Sequence, residues 1–225
     1  LVYGFKIFKT ENFKKISIIN NRINVGLNIN IIRHLFILKI LRKHITPKTI
    51  CVIGDGKANF VINAFLNFSN IKIYSINLPQ VHVNDYIIIK KSKIINKNQI
   101  CVVTNKNQKI NNKIKLVLIS SNMKNFLNNI NIDLFVSISS FQEMPLEEQR
   151  KYLKIISRNK KFFYLCEREK KILSGKEKNY FKNYLPKKYK IIFKEPAKFY
   201  RYNYNTKIPF VHKQDKMIHA LLKIK

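Results

Sequence analysis

Residues 49–59 read T-I-C-V-I-G-D-G-K-A-N. A short apolar run breaks into Gly54-Asp55-Gly56, and a helical pattern opens behind it. Glycines at 54 and 56 let the chain turn sharply off a buried strand, approach a ligand closely and aim helix amides at it. After the helix-like segment 60–68, the run Ile71-Lys72-Ile73-Tyr74-Ser75-Ile76 ends in Asn77-Leu78-Pro79, where a polar side chain is placed to meet ribose hydroxyls. The stretch predicts a βαβ unit with a nucleotide-cofactor turn. Asn59 stands where the third glycine of G-x-G-x-x-G would fall, so the spacing alone does not specify a dinucleotide. An ordinary loop before a core helix is the plain alternative.

Upstream, residues 31–44 predict a broad apolar helix with Ile31, Leu35, Leu38 and Leu41 on one face and Pro47 beyond its end. The Asn-rich residues 1–30, with apolar runs at 5–8 and 16–19, read as a lid or N-terminal layer. Downstream, 81–91 fits a helix or an irregular strand, 99–104 and 115–120 fit strands, and 121–129 a short helix. Residues 132–139 form a β-rich run that stops at Ser140-Phe141-Gln142-Glu143-Met144-Pro145. A helix over 146–157, with Glu147 and Glu148 suiting its N-terminal dipole, precedes a strand at 161–166. Residues 170–186 read as a charged loop, 189–194 as a strand, 196–214 as an aromatic-rich excursion and 217–224 as a closing strand. Alternation of this kind predicts an open, mostly parallel α/β sheet with helices on both faces and a terminal antiparallel pair. Ligands in such sheets bind at the strand tips, where Gly54, Asn77, Ser140 and Glu167 fall.

The 225 residues suffice for one sizeable core, and 46% hydrophobic content excludes a disordered chain. The division expected is an N-terminal helical or lid segment over 1–46 and one main domain over 47–225. No window offers the ~18 consecutive apolar residues of a membrane span, and no signal pattern opens the chain, so a cytoplasmic protein is expected. Cys51, Cys101 and Cys166 lie far apart beside apolar runs and read as reduced core residues. The five histidines show no metal-ligand spacing, so no metal is expected. The formal charge of +32 points toward polyanions. Its lysines are spread over nearly every segment with Asn and Ile, a pattern of compositional bias, so non-specific polyanion binding is the minimal expectation.

Arg33-His34-Leu35, Val52-Ile53-Gly54-Asp55-Gly56, the strand ending Asn77-Leu78-Pro79, Ser140-Phe141-Gln142-Glu143-Met144-Pro145 and Phe163-Tyr164-Leu165-Cys166 occur in the order found in the sugar O-methyltransferases of bacterial glycan and surface-polysaccharide loci. The chain resembles that family over most of its length, and the Ser140–Pro145 stretch is the most specific match. The resemblance implies a Rossmann-type methyltransferase sheet of seven strands ending in an antiparallel hairpin, with S-adenosylmethionine (SAM) as cofactor and a sugar or glycan as substrate. It places the methionine part of SAM on Gly54, Asp55 and Gly56, the ribose on Asn77 and Leu78, and the adenine near Ser120 and Ser121, with Ser140 at the next tip. Three positions depart from the family pattern. Val52 replaces an acidic residue, Ala58 a glycine, and Asn77 an aspartate whose bond to a hydroxyl would be charge-assisted.

A sugar hydroxyl is a weak nucleophile until its proton is taken, so a base at the strand tips is wanted. Glu143 is the first candidate, His34 the second and His82 a third. Gln142, His82, Arg33 and Arg168 are candidate substrate contacts, and the aromatics at 199–204 could stack on a sugar. The bland roles are an N-terminal charge for Glu143, a core histidine at 34, a surface histidine at 82, solvated or paired arginines, and aromatics anchoring a loop. Two rival functions share the cofactor turn: an RNA methyltransferase using the high charge, and an inactive methyltransferase-like domain that only binds a partner.

Overall fold

The computed structural model describes residues 9–24, 29–200, 202–204, 211–213 and 216–225. The apolar run at 5–8 lies outside them. The chain divides into two compact units, Leu1–Phe126 and Leu127–Lys225.

In the first unit, helix α1 (Glu11–Arg22) supplies the N-terminal layer. Thr10 Oγ1 accepts the Phe13 amide at 3.2 Å, Glu11 sits in the first turn and Arg22 in the last, so cap and dipole agree. Helix α2 (Ile29–Leu41) buries Ile31, Leu35, Leu38 and Leu41, as the apolar spacing predicts. Then come β1 (Thr49–Ile53), α3 (Asn59–Asn67), β2 (Lys72–Asn77), α4 (Pro79–Ser92), β3 (Ile100–Val102) and β4 (Leu116–Ser120). The strand order is β3-β4-β2-β1, and every pairing is parallel. Segment 81–91 is resolved as helix because Pro79 opens it, where a missing N–H costs nothing and the fixed φ already suits a helix. Ile53 pairs with Ile76 and Asn77 with Ser120, so the tips of β1, β2 and β4 end at one level.

The second unit holds β5 (Leu134–Ile138), α5 (Leu146–Asn159), β6 (Phe162–Arg168), β7 (Lys170–Ile172), β8 (Lys178–Tyr180), β9 (Tyr189–Pro196), β10 (Tyr202–Tyr204), β11 (Val211–Lys213) and β12 (Met217–Ile224). Here β5 and β6 are parallel, and β12 runs antiparallel to both β6 and β9. The charged stretch after β6 is not wholly a loop, since β7 and β8 pair as a hairpin with Asn179 pointing inward. The result is an α/β fold with a mostly parallel sheet, helices around it and a C-terminal antiparallel hairpin. In the first unit the short strand β3 forms the outer edge, beside β4. No helix among the described residues is long and apolar enough to cross a membrane.

Candidate active site

Gly54 leaves β1 at φ 78°, in the left-handed region where a side chain would strain the backbone, and its amide donates to the Ile76 carbonyl at 2.8 Å. A Cβ built on Gly56 would meet no atom within 4 Å. Gly56 is exposed, and protein packing therefore does not require that glycine. Lys57 and Ala58 follow with φ of 113° and 52°, so two side-chain-bearing residues occupy conformations that glycine would adopt more easily.

Asp55 turns inward from this loop. Its Oδ2 accepts the Val61 amide at 2.8 Å, and the amides of Asn59 and Phe60 also point to it, so the carboxylate caps α3 in place of Ala58, which offers no side chain for the task. Burial pushes its pKa from 3.8 up to about 7, against the opposing pull of those amides and with the charge of Asp85 adding to the rise.

Asn77, half-buried, directs its Nδ2 to Asp85 Oδ2 at 3.1 Å, while its Oδ1 accepts the Leu78 amide at 3.2 Å. Leu78 itself is exposed. His82 is buried rather than on the surface. Its Nε2 stands 2.8 Å from the Ile119 carbonyl and 3.0 Å from the Asn77 amide, serving one or the other according to tautomer, and its Nδ1 lies 3.7 Å from Asp85. Ser120 closes β4 opposite Asn77, and Ser121 opens the 3-10 segment Ser121–Asn129, its carbonyl accepting Lys124 Nζ. His34 is enclosed, with its ring edge-on to Phe60 at 5.6 Å. Burial, and then Arg33, lower its pKa to about 3, which keeps it neutral and makes it a poor base. Arg33 is also buried and reaches Asn30 Oδ1 at 3.0 Å.

In the second unit, the Ser140–Pro145 stretch is gripped from two sides. Glu167, fully buried at the end of β6, accepts Ser137 Oγ at 2.7 Å, the amides of Ser140 and Phe141 at 3.2 Å, and that of Gln142 at 3.3 Å. Gln149 Nε2 donates to the Phe141 and Met144 carbonyls, and Asn179 Nδ2 to those of Gln142 and Met144. The buried Gln142 accepts the Arg168 amide at 2.7 Å and donates to Glu143. Glu143 is half-exposed, pairs with Lys171 at 3.2 Å, and lines a cleft of about 480 Å³ with Lys171, Ser174 and Glu177. Phe199 and the buried Tyr200 pack on each other, and Phe199 also packs on His219, which favours the loop-anchoring role. The side chains at 202 and 204 lie outside the described residues.

Asp85 was not among the expected site residues, and Glu167 was expected only as one of the strand tips, although each organises such a tip. A carboxylate interrupting a buried run, as at Phe162–Arg168, is the signal that marks Glu167. For Asp85 the only trace is its spacing of three from His82.

No family model matches the chain, and no curated protein sequence does. Solved structures match by shape. The N-methyltransferase NodS from Bradyrhizobium japonicum WM9 is similar with TM-score 0.55 at 8% identity, covering 86% of this chain and 95% of that one. A SAM-dependent methyltransferase from Clostridium acetobutylicum ATCC 824 is similar with TM-score 0.50 at 11% identity, covering 94% and 98%. A precorrin-6y C5,15-methyltransferase from Geobacter metallireducens GS-15 gives 0.50 at 12%, covering 85% and 86%. These likenesses establish the methyltransferase fold; their names span different acceptors, so the fold does not fix the acceptor atom.

Proposed function

We propose that this chain is a SAM-dependent O-methyltransferase acting on a sugar hydroxyl of a glycan or surface-polysaccharide precursor, in the cytoplasm. The observation that carries the cofactor reading is Gly56, a glycine that packing does not require, in a turn level with Asn77 and Ser120. Gly54 and Gly56 would admit the cofactor to the backbone, Asn77 would offer an acceptor to ribose, and Ser120 and Ser121 would lie toward the adenine. SAM, when bound, supplies an electrophilic methyl on a sulfonium sulfur. The chain's own task is to orient the acceptor, exclude water and receive the hydroxyl proton. Glu143 is the proton acceptor in this reading, because its carboxylate is accessible and opens on a cleft, whereas His34 is enclosed and held neutral. The sugar rests on the resemblance of the Ser140–Pro145 stretch, and is supported by a cleft lined with groups that can bond hydroxyls.

Calorimetric titration with SAM and with its demethylated product tests this first. Saturable binding, lost in Gly54→Arg, sustains the reading and leads to assays of methyl transfer into nucleotide sugars. Absence of binding by folded protein overturns it and favours an inactive binding domain. The charge of +32 favours a second reading, an RNA methyltransferase. That reading requires methyl transfer into RNA, with affinity falling steeply as salt rises.

A further inference from the structure

We propose that Asp85 is the positioning residue of the cofactor turn, a buried carboxylate that holds the loop at 57–58 in shape and fixes the carboxamide of Asn77 with its oxygen turned away from Asp85. The inference rests on the cofactor reading above and concerns the side chain that acts behind the turn.

Asp85 sits on α4 with 2% of its surface exposed. Its Oδ1 accepts the Lys57 amide at 3.1 Å, and the Ala58 amide, which donates to the Asp55 carbonyl at 3.2 Å, also points toward the carboxylate. Lys57 and Ala58 are the turn's two side-chain-bearing residues with positive φ, a conformation that persists only where surrounding contacts enforce it. Its Oδ2 accepts Asn77 Nδ2 at 3.1 Å. An amide nitrogen is only a donor and a carboxylate oxygen only an acceptor, so this contact decides which way Asn77 faces. Nδ2 is turned to Asp85, and Oδ1 is turned to the Leu78 amide with a second lone pair to offer. Asn77 thus presents an acceptor oxygen, as an aspartate there would, and the negative charge stands one residue layer back on Asp85. His82, tied to the Ile119 carbonyl of β4 through Nε2, leaves its Nδ1 3.7 Å from the same Oδ2, beyond hydrogen-bond distance.

The arrangement predicts reciprocity. In Asp85→Asn, one oxygen cannot meet both the Lys57 amide and Asn77 Nδ2: either the new carboxamide nitrogen faces the Lys57 amide and releases the loop, or it faces Asn77, whose own carboxamide must then rotate, turning Nδ2 outward and withdrawing the acceptor. In Asn77→Asp, two carboxylates share one contact and repel. Exchanging the two groups, in Asn77→Asp with Asp85→Asn, restores one donor facing one acceptor. Each single variant should bind SAM about ten-fold more weakly or worse, and the double variant should recover most of that loss. In the SAM-free protein, exchange of the Lys57 and Ala58 amides should accelerate in Asp85→Asn and slow again in the double variant, with melting curves confirming that each protein is folded.

Wild-type binding together with unchanged affinity in Asp85→Asn overturns the inference, as does a double variant no better than the worse single one. If the wild type binds no SAM, the cofactor reading fails. Amide exchange then still decides this one, because unaltered protection at Lys57 and Ala58 in Asp85→Asn refutes it.

Discussion

Glu167 Oε1 and Ser137 Oγ meet at 2.7 Å across neighbouring parallel strands, beneath the turn that carries Glu143. The same carboxylate holds three successive amides of that turn, so one buried side chain sets the backbone that presents the candidate base. Burial pushes the Glu167 pKa from 4.5 up to about 7, with Ser137 and the three amides opposing the rise. A carboxyl whose folded pKa is raised contributes stability that is fully present below the unfolded value and lost as pH rises through the folded one. Between about pH 4.5 and pH 7 the Glu167 contribution should therefore decline, by on the order of 3 kcal/mol across the window. In Glu167→Gln this slope should vanish. Urea melts of both proteins at pH 5 and pH 8 check it, and equal pH dependence would refute the assignment.

Asp55 obeys the same sign with a different structural consequence. It is the acceptor for the first amides of α3, and its pKa rises from 3.8 to about 7. Asp55→Ala should cost about 1–2 kcal/mol through loss of the cap. Asp55→Asn keeps one acceptor oxygen and should cost less. It should also lose the wild type's gain in stability as pH falls from about 8 to 6. Thermal melts of the three proteins at both pH values separate capping from titration.

The two glycines of the turn part company in their predicted effects. Gly54 sits at φ 78°, so Gly54→Ala should destabilise the fold by about 1–2 kcal/mol. Gly56 has empty space where its Cβ would be, so Gly56→Leu should leave the melting temperature within about 2 °C while weakening SAM binding more than about ten-fold. Destabilisation by Gly56→Leu comparable to that of Gly54→Ala would mean that the space serves packing and not a ligand.

How much of this was legible in the sequence follows from where each signal resides. Strands β1, β2, β4, β5, β6 and β12 are continuous apolar runs buried along most of their length, and such runs announce themselves. The hairpin of β7 and β8 has three-residue strands bearing lysines, and what fixes it is Asn179 reaching the Gln142 and Met144 carbonyls more than thirty positions away, a contact that no local pattern encodes. Gly54 and Asn77 could be placed at strand tips from sequence because turn chemistry is local. The bonding roles of Asp85 and Glu167 could not be read, although Glu167 was placed at a tip, because their partners are backbone amides distant along the chain, and every residue carries an amide. Asp55 shows the converse case: its position at the turn was evident, but the inward rotation of its carboxylate depends on α3 beginning four residues later.

Glu143 offers the sharpest division between a structural and a chemical role. Its ion pair with Lys171 spans 3.2 Å with the glutamate half in solvent, and such pairs contribute about 0–1 kcal/mol. Its donor Gln142 remains anchored by Arg168 and by the Glu167 contact, so the turn should keep its shape without the charge. Glu143→Gln should therefore melt within about 3 °C of the wild type and bind SAM equally well. If Glu143 takes the acceptor proton, kcat should fall by about 10²–10⁴-fold with KM little changed. Lys171→Met supplies the control, since it removes the same ion pair and leaves the carboxylate. A fall in kcat of equal size in both variants would assign the effect to the pair and remove Glu143 from the proton-transfer role.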